Sequence, residues 1–254
     1  YDLIIVTVGA WDIPPAWRDQ LTDDGVLVVP LRTFGMTRSW GLRRCGDRLV
    51  SDSRRQCGFV SMQGDGAHEV RYLDIAEGVH LRLDEDQRVD HDPAAIGALL
   101  RQPREEAWAG LSLPPVTALG DLDLWLATRL TRETHFVVLA AQETAIRSGT
   151  VAPGWRFGTP ATLDDDATFA YRSALRWTDR QFDLGAYAHG PTAAAAATRM
   201  VEHMCAWVDA GTPTPRLHVL PAHTPDGDLP TGALLDKRHS RLVFTFTPEE
   251  KGTP

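Results

Sequence analysis

The sequence predicts an α/β protein: part of a parallel, doubly covered sheet followed by an α+β unit. Three observations carry this. Leu3-Ile4-Ile5-Val6 is a continuous apolar run with no alternation, the pattern of a parallel strand covered on both faces. Residues 1–32 read as a strand (Asp2 through Val8), a tight turn, a short helix and a second strand (Val26 to Leu31). Beyond residue 67, strand-like segments and periodic helices are mixed, with enough apolar residues for a separate core.

A doubly covered strand needs neighbours, and nothing before Tyr1 can supply them. Tyr1 is not an initiator Met, and the segment has no signal-peptide layout. The expectation is that residues 1–63 are the C-terminal part of a larger α/β domain whose N-terminal segment lies upstream.

The following elements are justified in turn. Met36–Arg43, Arg48–Asp52 and Gly58–Met62 are polar-flanked and read as antiparallel strands, with Cys45-Gly46-Asp47 turning the first hairpin. Gln63-Gly64-Asp65-Gly66-Ala67 is a polar, flexible stretch and marks a domain boundary, so residues 68–254 are expected to form an accessory domain. There, Val70–Asp74 and Val79–Leu83 alternate as a hairpin around Glu77-Gly78. Asp92 caps and Pro93 opens a helix to Leu100. Asp121–Arg129 is a helix with Leu122, Trp125 and Leu126 on one face. Phe136–Ala140, Phe169–Leu175 and Leu184–Tyr187 read as strands. The clearest helix spans Thr192 to Ala210, opened by Pro191 and closed by Gly211. Its stripe is Ala197, Met200, Val201, Met204, Trp207 and Val208. Leu217–Leu220 and Leu242–Phe246 are late strands flanking a Pro/Gly/Asp-rich loop.

Bulk properties narrow the function. The chain has 254 residues, 43% hydrophobic and 24% charged, ordinary for a soluble globular protein. A net charge of −8 argues against a primary nucleic-acid surface, and no apolar run approaches the ~20 residues that span a bilayer. Three scattered cysteines fit neither a disulfide framework nor a zinc site, which points to a reducing cytoplasm.

Val6-Thr7-Val8-Gly9-Ala10, followed by Ile13-Pro14 and Asp19-Gln20-Leu21, resembles protein-L-isoaspartate O-methyltransferases. Val28-Val29-Pro30-Leu31 and Phe59-Val60-Ser61-Met62 continue the resemblance. Asp24-Gly25 replaces the family's Gly-Gly, and Ser61 replaces its closing proline. The resemblance implies the C-terminal half of a class I (Rossmann-like) methyltransferase sheet, with S-adenosylmethionine as cofactor. Asp123-Leu124-Trp125-Leu126-Ala127, His189-Gly190-Pro191, Pro221-Ala222-His223-Thr224-Pro225 and Asp236-Lys237-Arg238-His239 are similar to a peptide-modifying branch of that family associated with ribosomally made natural products. That branch methylates an Asp side chain in a precursor peptide, and the ester then closes to a succinimide (aspartimide).

The chemistry makes few demands on side chains. An Asp carboxylate, with a pKa of about 3.9, is already a nucleophile at neutral pH, so alignment and exclusion of water matter most. No catalytic residue is therefore assigned. In such a sheet ligands sit beyond the carboxyl ends of the strands, which selects Val8 and Gly9 for the cofactor and Ala10 and Trp11 for the substrate. Gly9 either admits close backbone approach or simply makes the turn, and Trp11 either walls the pocket or packs on the helix. By resemblance, Val60 and Ser61 contact the peptide backbone. Lys237, Arg238 and His239 form either a basic clamp for an acidic peptide or a solvated charge run. The donor's glycine-rich loop and ribose-binding acid have no match, and no G-x-G-x-x-G occurs. The chain by itself is thus not expected to bind S-adenosylmethionine well.

Other clusters have plainer readings. His189 lies at a helix entrance, where it either docks an anion or makes a turn. His218 and His223 lack further metal ligands, and Asp164-Asp165-Asp166 reads as an exposed turn. Trp40, Trp108, Trp125, Trp155, Trp177 and Trp207 either line a peptide groove or fill the core. The expected function is methylation of a precursor-peptide aspartate. The alternatives are a non-catalytic peptide-binding module and an isoaspartyl-repair methyltransferase.

Overall fold

In the computed structural model, which describes residues 1–83 and 91–247, the chain forms two compact units. One joins residues 1–69 to the chain from Pro213 onward, and the other is Val70–Thr212.

The first unit begins with β1 (Leu3–Ile5), α1 (Pro15–Asp19), β2 (Val26–Thr33), β3 (Met36–Cys45) and β4 (Arg48–Gln56). The βαβ opening is present: β1 pairs parallel with β2, Leu3 opposite Val26 and Ile5 opposite Val28. Leu27, Val29 and Leu31 alternate along β2 and are fully buried. Two turns set the hairpin registers. Phe34 (φ 52°) and Gly35 (φ 69°) form a two-residue turn in which both residues have positive φ, the twist that suits adjacent antiparallel strands. The left-handed conformation at Phe34 is offset by burial of its ring 5.6 Å from Phe244. Cys45 pairs with Arg48 across Gly46-Asp47, the hairpin expected from the turn residues.

The second unit contains β5 (Arg71–Ala76), β6 (Val79–Leu83), α2 (Pro93–Leu99), β7 (Glu105–Trp108), α3 (Leu119–Leu130), β8 (His135–Ala141), α4 (Glu143–Arg147), β9 (Thr159–Leu163), β10 (Phe169–Arg172), β11 (Arg176–Thr178), β12 (Gln181–Asp183), β13 (Gly185–His189) and α5 (Ala193–Asp209). Seven of these strands form one sheet, in the order β5-β6-β8-β9-β10-β13-β7. α5 buries its predicted stripe, with Met200, Met204 and Trp207 at 1% exposure or less, while Val208 is half-buried. Asp92 caps α2 by accepting from the Ala94 amide at 3.0 Å. Inside this unit Arg172 and Asp123 form a bidentate pair (2.8 and 3.3 Å), and both side chains are nearly fully buried.

β14 (Thr214–Pro221), β15 (Ala233–Asp236) and β16 (Ser240–Thr247) return to the first unit. This differs from the expected accessory domain of residues 68–254. The reason is strand pairing: Val219 lies opposite Leu49 and His218 opposite Val50, and the Leu217 amide donates to Ser51 Oγ at 2.8 Å. The resulting order is β1-β2-β3-β4-β14-β16-β15. Its apolar side gathers Trp40, Leu42, Leu49, Leu217, Leu242 and Phe244, each at 1% exposure or less.

Two further expectations change, and a third gains detail. β1 is shorter than Asp2–Val8 and is not doubly covered: it is an edge strand, with Leu3 52% and Ile5 59% exposed. Gly58–Met62 is not a strand but makes a single parallel bridge, Gly9 to Ser61. The exposed turn expected at Asp164-Asp165-Asp166 is present, with Asp165 and Asp166 exposed and Asp164 half-buried, and it also makes contacts. Asp164 accepts from Arg199 at 2.7 Å, and Asp166 accepts from Thr192 Oγ1 at 2.9 Å ahead of α5. No helix among the described residues is long and apolar enough to cross a membrane.

Candidate functional site

The carboxyl end of β1 is where distant segments of the first unit converge. Gly9 and Ala10 continue the line of β1 as two parallel bridges, one on each side. Gly9 donates to the Val60 carbonyl (2.7 Å) and accepts from the Met62 amide (2.9 Å). Ala10 donates to the Pro30 carbonyl (2.8 Å) and accepts from the Arg32 amide (2.9 Å). These main-chain groups are therefore consumed by pairing.

Gly9 does not occupy the left-handed region, so the turn does not require it. A Cβ there would lie 3.3 Å from the Val60 oxygen and 3.6 Å from Phe59 Cβ. The glycine instead permits the close approach of residues 59–61. Val60 is 75% exposed and Ser61 is exposed beside it, while Ala10 is buried and Val8 half-buried.

Trp11 is half-buried and stacked. The His68 ring lies parallel to it (3.5 Å between centroids, 9° between planes), and Lys237 Nζ sits 3.0 Å from the indole centroid. Neither contact leaves room for the other on the same face, so they occupy opposite faces. Lys237 is only 9% exposed and also donates to the Arg32 carbonyl at 3.3 Å. A desolvated ammonium on an indole face is held by the ring quadrupole, an interaction of about 2 kcal/mol at such sites.

The run Asp236-Lys237-Arg238-His239 is thereby divided. Asp236 accepts from Arg241 Nε at 2.7 Å, Lys237 turns inward to Trp11, Arg238 is exposed, and His239 is half-buried. The segment is held by Asp12, which the sequence reading missed. Its carboxylate accepts from the amides of Ile13 (2.7 Å) and His239 (2.6 Å) and from the Ser240 hydroxyl. His68 was missed as well. No local signal marks either residue, because two of the three partners of Asp12 lie more than two hundred residues away and His68 meets Trp11 only in the fold.

The remaining candidates lie elsewhere. His189 ends β13 at 3% exposure, and burial, then the charge of Arg104, lowers its pKa. His218 on β14 is within 3.2 Å of Thr245 Oγ1, and His223 is exposed beyond that strand. Trp40 and Trp207 are core residues, and Trp125 is also buried. Trp155 and Trp177 are 41% and 54% exposed.

Comparison with known proteins bears on the same region. The sequence model of the family described as Protein-L-isoaspartate(D-aspartate) O-methyltransferase matches residues 1–66. A protein-L-isoaspartate O-methyltransferase of Dictyoglomus thermophilum is 31% identical over 65 residues, covering 26% of this chain and 30% of the relative. One of Serratia proteamaculans is 39% identical over 62 residues, covering 24% of this chain and 29% of the relative. The matched part thus spans less than a third of each curated relative. A solved structure titled as a protein-L-isoaspartate O-methyltransferase covers 86% of this chain and 50% of its own, with 16% identity and a TM-score of 0.28.

Proposed function

We propose that the chain is part of an S-adenosylmethionine-dependent O-methyltransferase that methylates an aspartate side chain of a ribosomally synthesised precursor peptide, leading to aspartimide. The observation that carries this reading is the coincidence of two facts. The family match covers residues 1–66, and within those residues Gly9 pairs with the Val60–Met62 segment at the strand end where Ala10 and Trp11 follow it.

The cofactor would supply an electrophilic methyl group. The described residues fit one edge of such a site, not all of it. Both faces of Trp11 are covered, and the Asp12 carboxylate is committed to three donors, so neither is free to hold a sulfonium or a ribose. The remaining donor contacts belong to an N-terminal methyltransferase segment. The unpaired edge of β1 is where that segment would continue the sheet, and Leu3 and Ile5 are the exposed face it would cover.

On the substrate side, Val60 and Ser61 are exposed residues beside Gly9; the Val60 carbonyl is taken by Gly9, so the outer side of Ser61 is the one suited to pairing with an extended peptide. Lys237 places a positive charge near the strand end, where a carboxylate would be drawn in. The carboxylate oxygen needs no base, since it enters ionised. In the later closure the following backbone nitrogen attacks the ester carbonyl, loses its proton and expels methanol. The unit Val70–Thr212, which has its own core, would recognise the peptide.

The test is mass spectrometry of the cognate precursor peptide incubated with the enzyme, including its N-terminal segment, and the cofactor. The expected product gains one methyl or, after closure, has lost one water. An unmodified peptide refutes the assignment for that pair. The names of the curated relatives favour a second reading, isoaspartyl repair. Methylation of a generic isoaspartyl peptide at a rate matching the precursor would favour repair.

A further inference from the structure

The first unit carries a second recognition feature, at the opposite end of β2 from Gly9 and Ala10. A groove of about 750 Å³ lies among the end of α1, the β3–β4 turn and the segment following β14. Arg18, Arg44 and Arg48 line it together with His223. All three arginines are half-buried, whereas the carboxylates around them, Asp19, Asp47 and Asp228, are exposed. Cations therefore form the floor and anions the rim.

The arginines are not equivalent. Arg44 is structural: its Nη1 donates to the carbonyls of Arg18 (3.1 Å) and Leu21 (2.9 Å), tying α1 to the hairpin. Arg18 Nη1 is buried and meets no hydrogen-bond acceptor among the described residues. Arg48 forms no ion pair with any described residue, and after burial its charge is the next cause holding His218 below the usual histidine pKa. A guanidinium nitrogen without an acceptor is unfavourable, and an anionic oxygen that reaches it relieves that cost. A bare phosphate fits this lining poorly, because the rim carboxylates repel it. A chain that alternates carboxylates with apolar side chains fits better, since the half-buried Pro221 and the exposed Pro225 supply apolar wall beside the charges.

We infer that this groove binds an acidic segment of a peptide, with Arg18 and Arg48 receiving its Asp or Glu side chains. The groove lies at the start of β2, where Arg44 meets Gly25, and the strand end of the candidate site lies at Pro30–Arg32. Five residues of β2 separate Val26 from Leu31, which is about 17 Å. If one extended peptide occupies both places, its acidic segment lies about five residues or more from the methylated aspartate. That spacing rests on the proposed methylation, but the binding itself does not.

The test is isothermal titration of the full chain with a capped peptide of alternating glutamate and leucine. A capped lysine/leucine peptide and inorganic phosphate serve as further probes. The acidic peptide should bind saturably and weaken with added salt. Arg48→Glu and Arg18→Gln should each weaken it by about tenfold or more. Arg48→Lys should retain most of the affinity, and Arg55→Ala, an exposed arginine outside the groove, should leave it unchanged. Circular dichroism melts verify that each variant folds. The inference is overturned if the acidic peptide does not bind, if Arg48→Glu binds it equally, or if phosphate competes at the peptide's own affinity. Each result is independent of methyl transfer, so the two readings can fail separately.

Discussion

Replacing Asp12 by alanine should release the 237–240 segment from the end of β1. Two of the three bonds to its carboxylate cross to that segment, from the His239 amide at 2.6 Å and from the Ser240 hydroxyl. Hydrogen bonds to a charged acceptor contribute about 1.5–3 kcal/mol each, and the half-buried position favours the low end. The loss is then about 3 kcal/mol, roughly a hundredfold in the local opening equilibrium. Asp12→Asn keeps one acceptor oxygen and should lose about half as much. Hydrogen exchange followed by mass spectrometry, on peptides covering residues 237–241, reads this directly. Exchange should accelerate in the order wild type, Asn, Ala, while peptides from α5 stay unchanged. Trp11 fluorescence should shift in the same order as Lys237 leaves its ring. Equal protection in all three proteins would refute the claim that Asp12 holds this segment.

Two further outcomes concern the second unit. Asp123→Ala leaves Arg172 charged and buried without its partner, so this unit should lose about 3–5 kcal/mol, measured by thermal or urea unfolding. A loss below ~1 kcal/mol would mean that water reaches the site. Burial first, then Arg104, lowers the pKa of His189, so the folded unit binds this proton less readily than the unfolded chain. Its contribution to stability is therefore complete above the unfolded value of about 6.5 and is lost as pH falls from there toward the lowered folded value. Melts between pH 8 and pH 5 should show this decline in wild type and a shallower one in His189→Phe, whereas parallel curves would remove His189 as the cause.

The legible parts of the fold were those whose signals are local. The turn at Gly46-Asp47, the Asp92 cap with Pro93, and the α5 stripe through Met200, Met204 and Trp207 each arise from residues within one or two turns of chain. β9 and the short β11–β12 hairpin were not legible. β9 is buried at every position and carries a proline, so it shows no alternation, and β11 and β12 have three residues each. At the site, the rule that ligands sit beyond the carboxyl ends of strands singled out Val8, Gly9, Ala10 and Trp11, and the resemblance singled out Val60 and Ser61. Why Gly9 is a glycine became clear only when residues 59–61 were found packed against it.

Sequence alone determined that residues 1–32 form a βαβ unit and that this opening is similar to protein-L-isoaspartate O-methyltransferases, because both follow from side-chain order over short spans. Its apolar run pointed to a first strand covered on both faces, whereas the strand seen is a sheet edge with Leu3 and Ile5 exposed. The tertiary structure decided the rest. It returned β14–β16 to the first sheet, turned Lys237 from a surface charge into a buried cation on Trp11, and gave Asp12 its partners. The reason is physical: strand pairing and charge burial are fixed by which segments meet in space, and the segments that meet here are about two hundred residues apart in the chain.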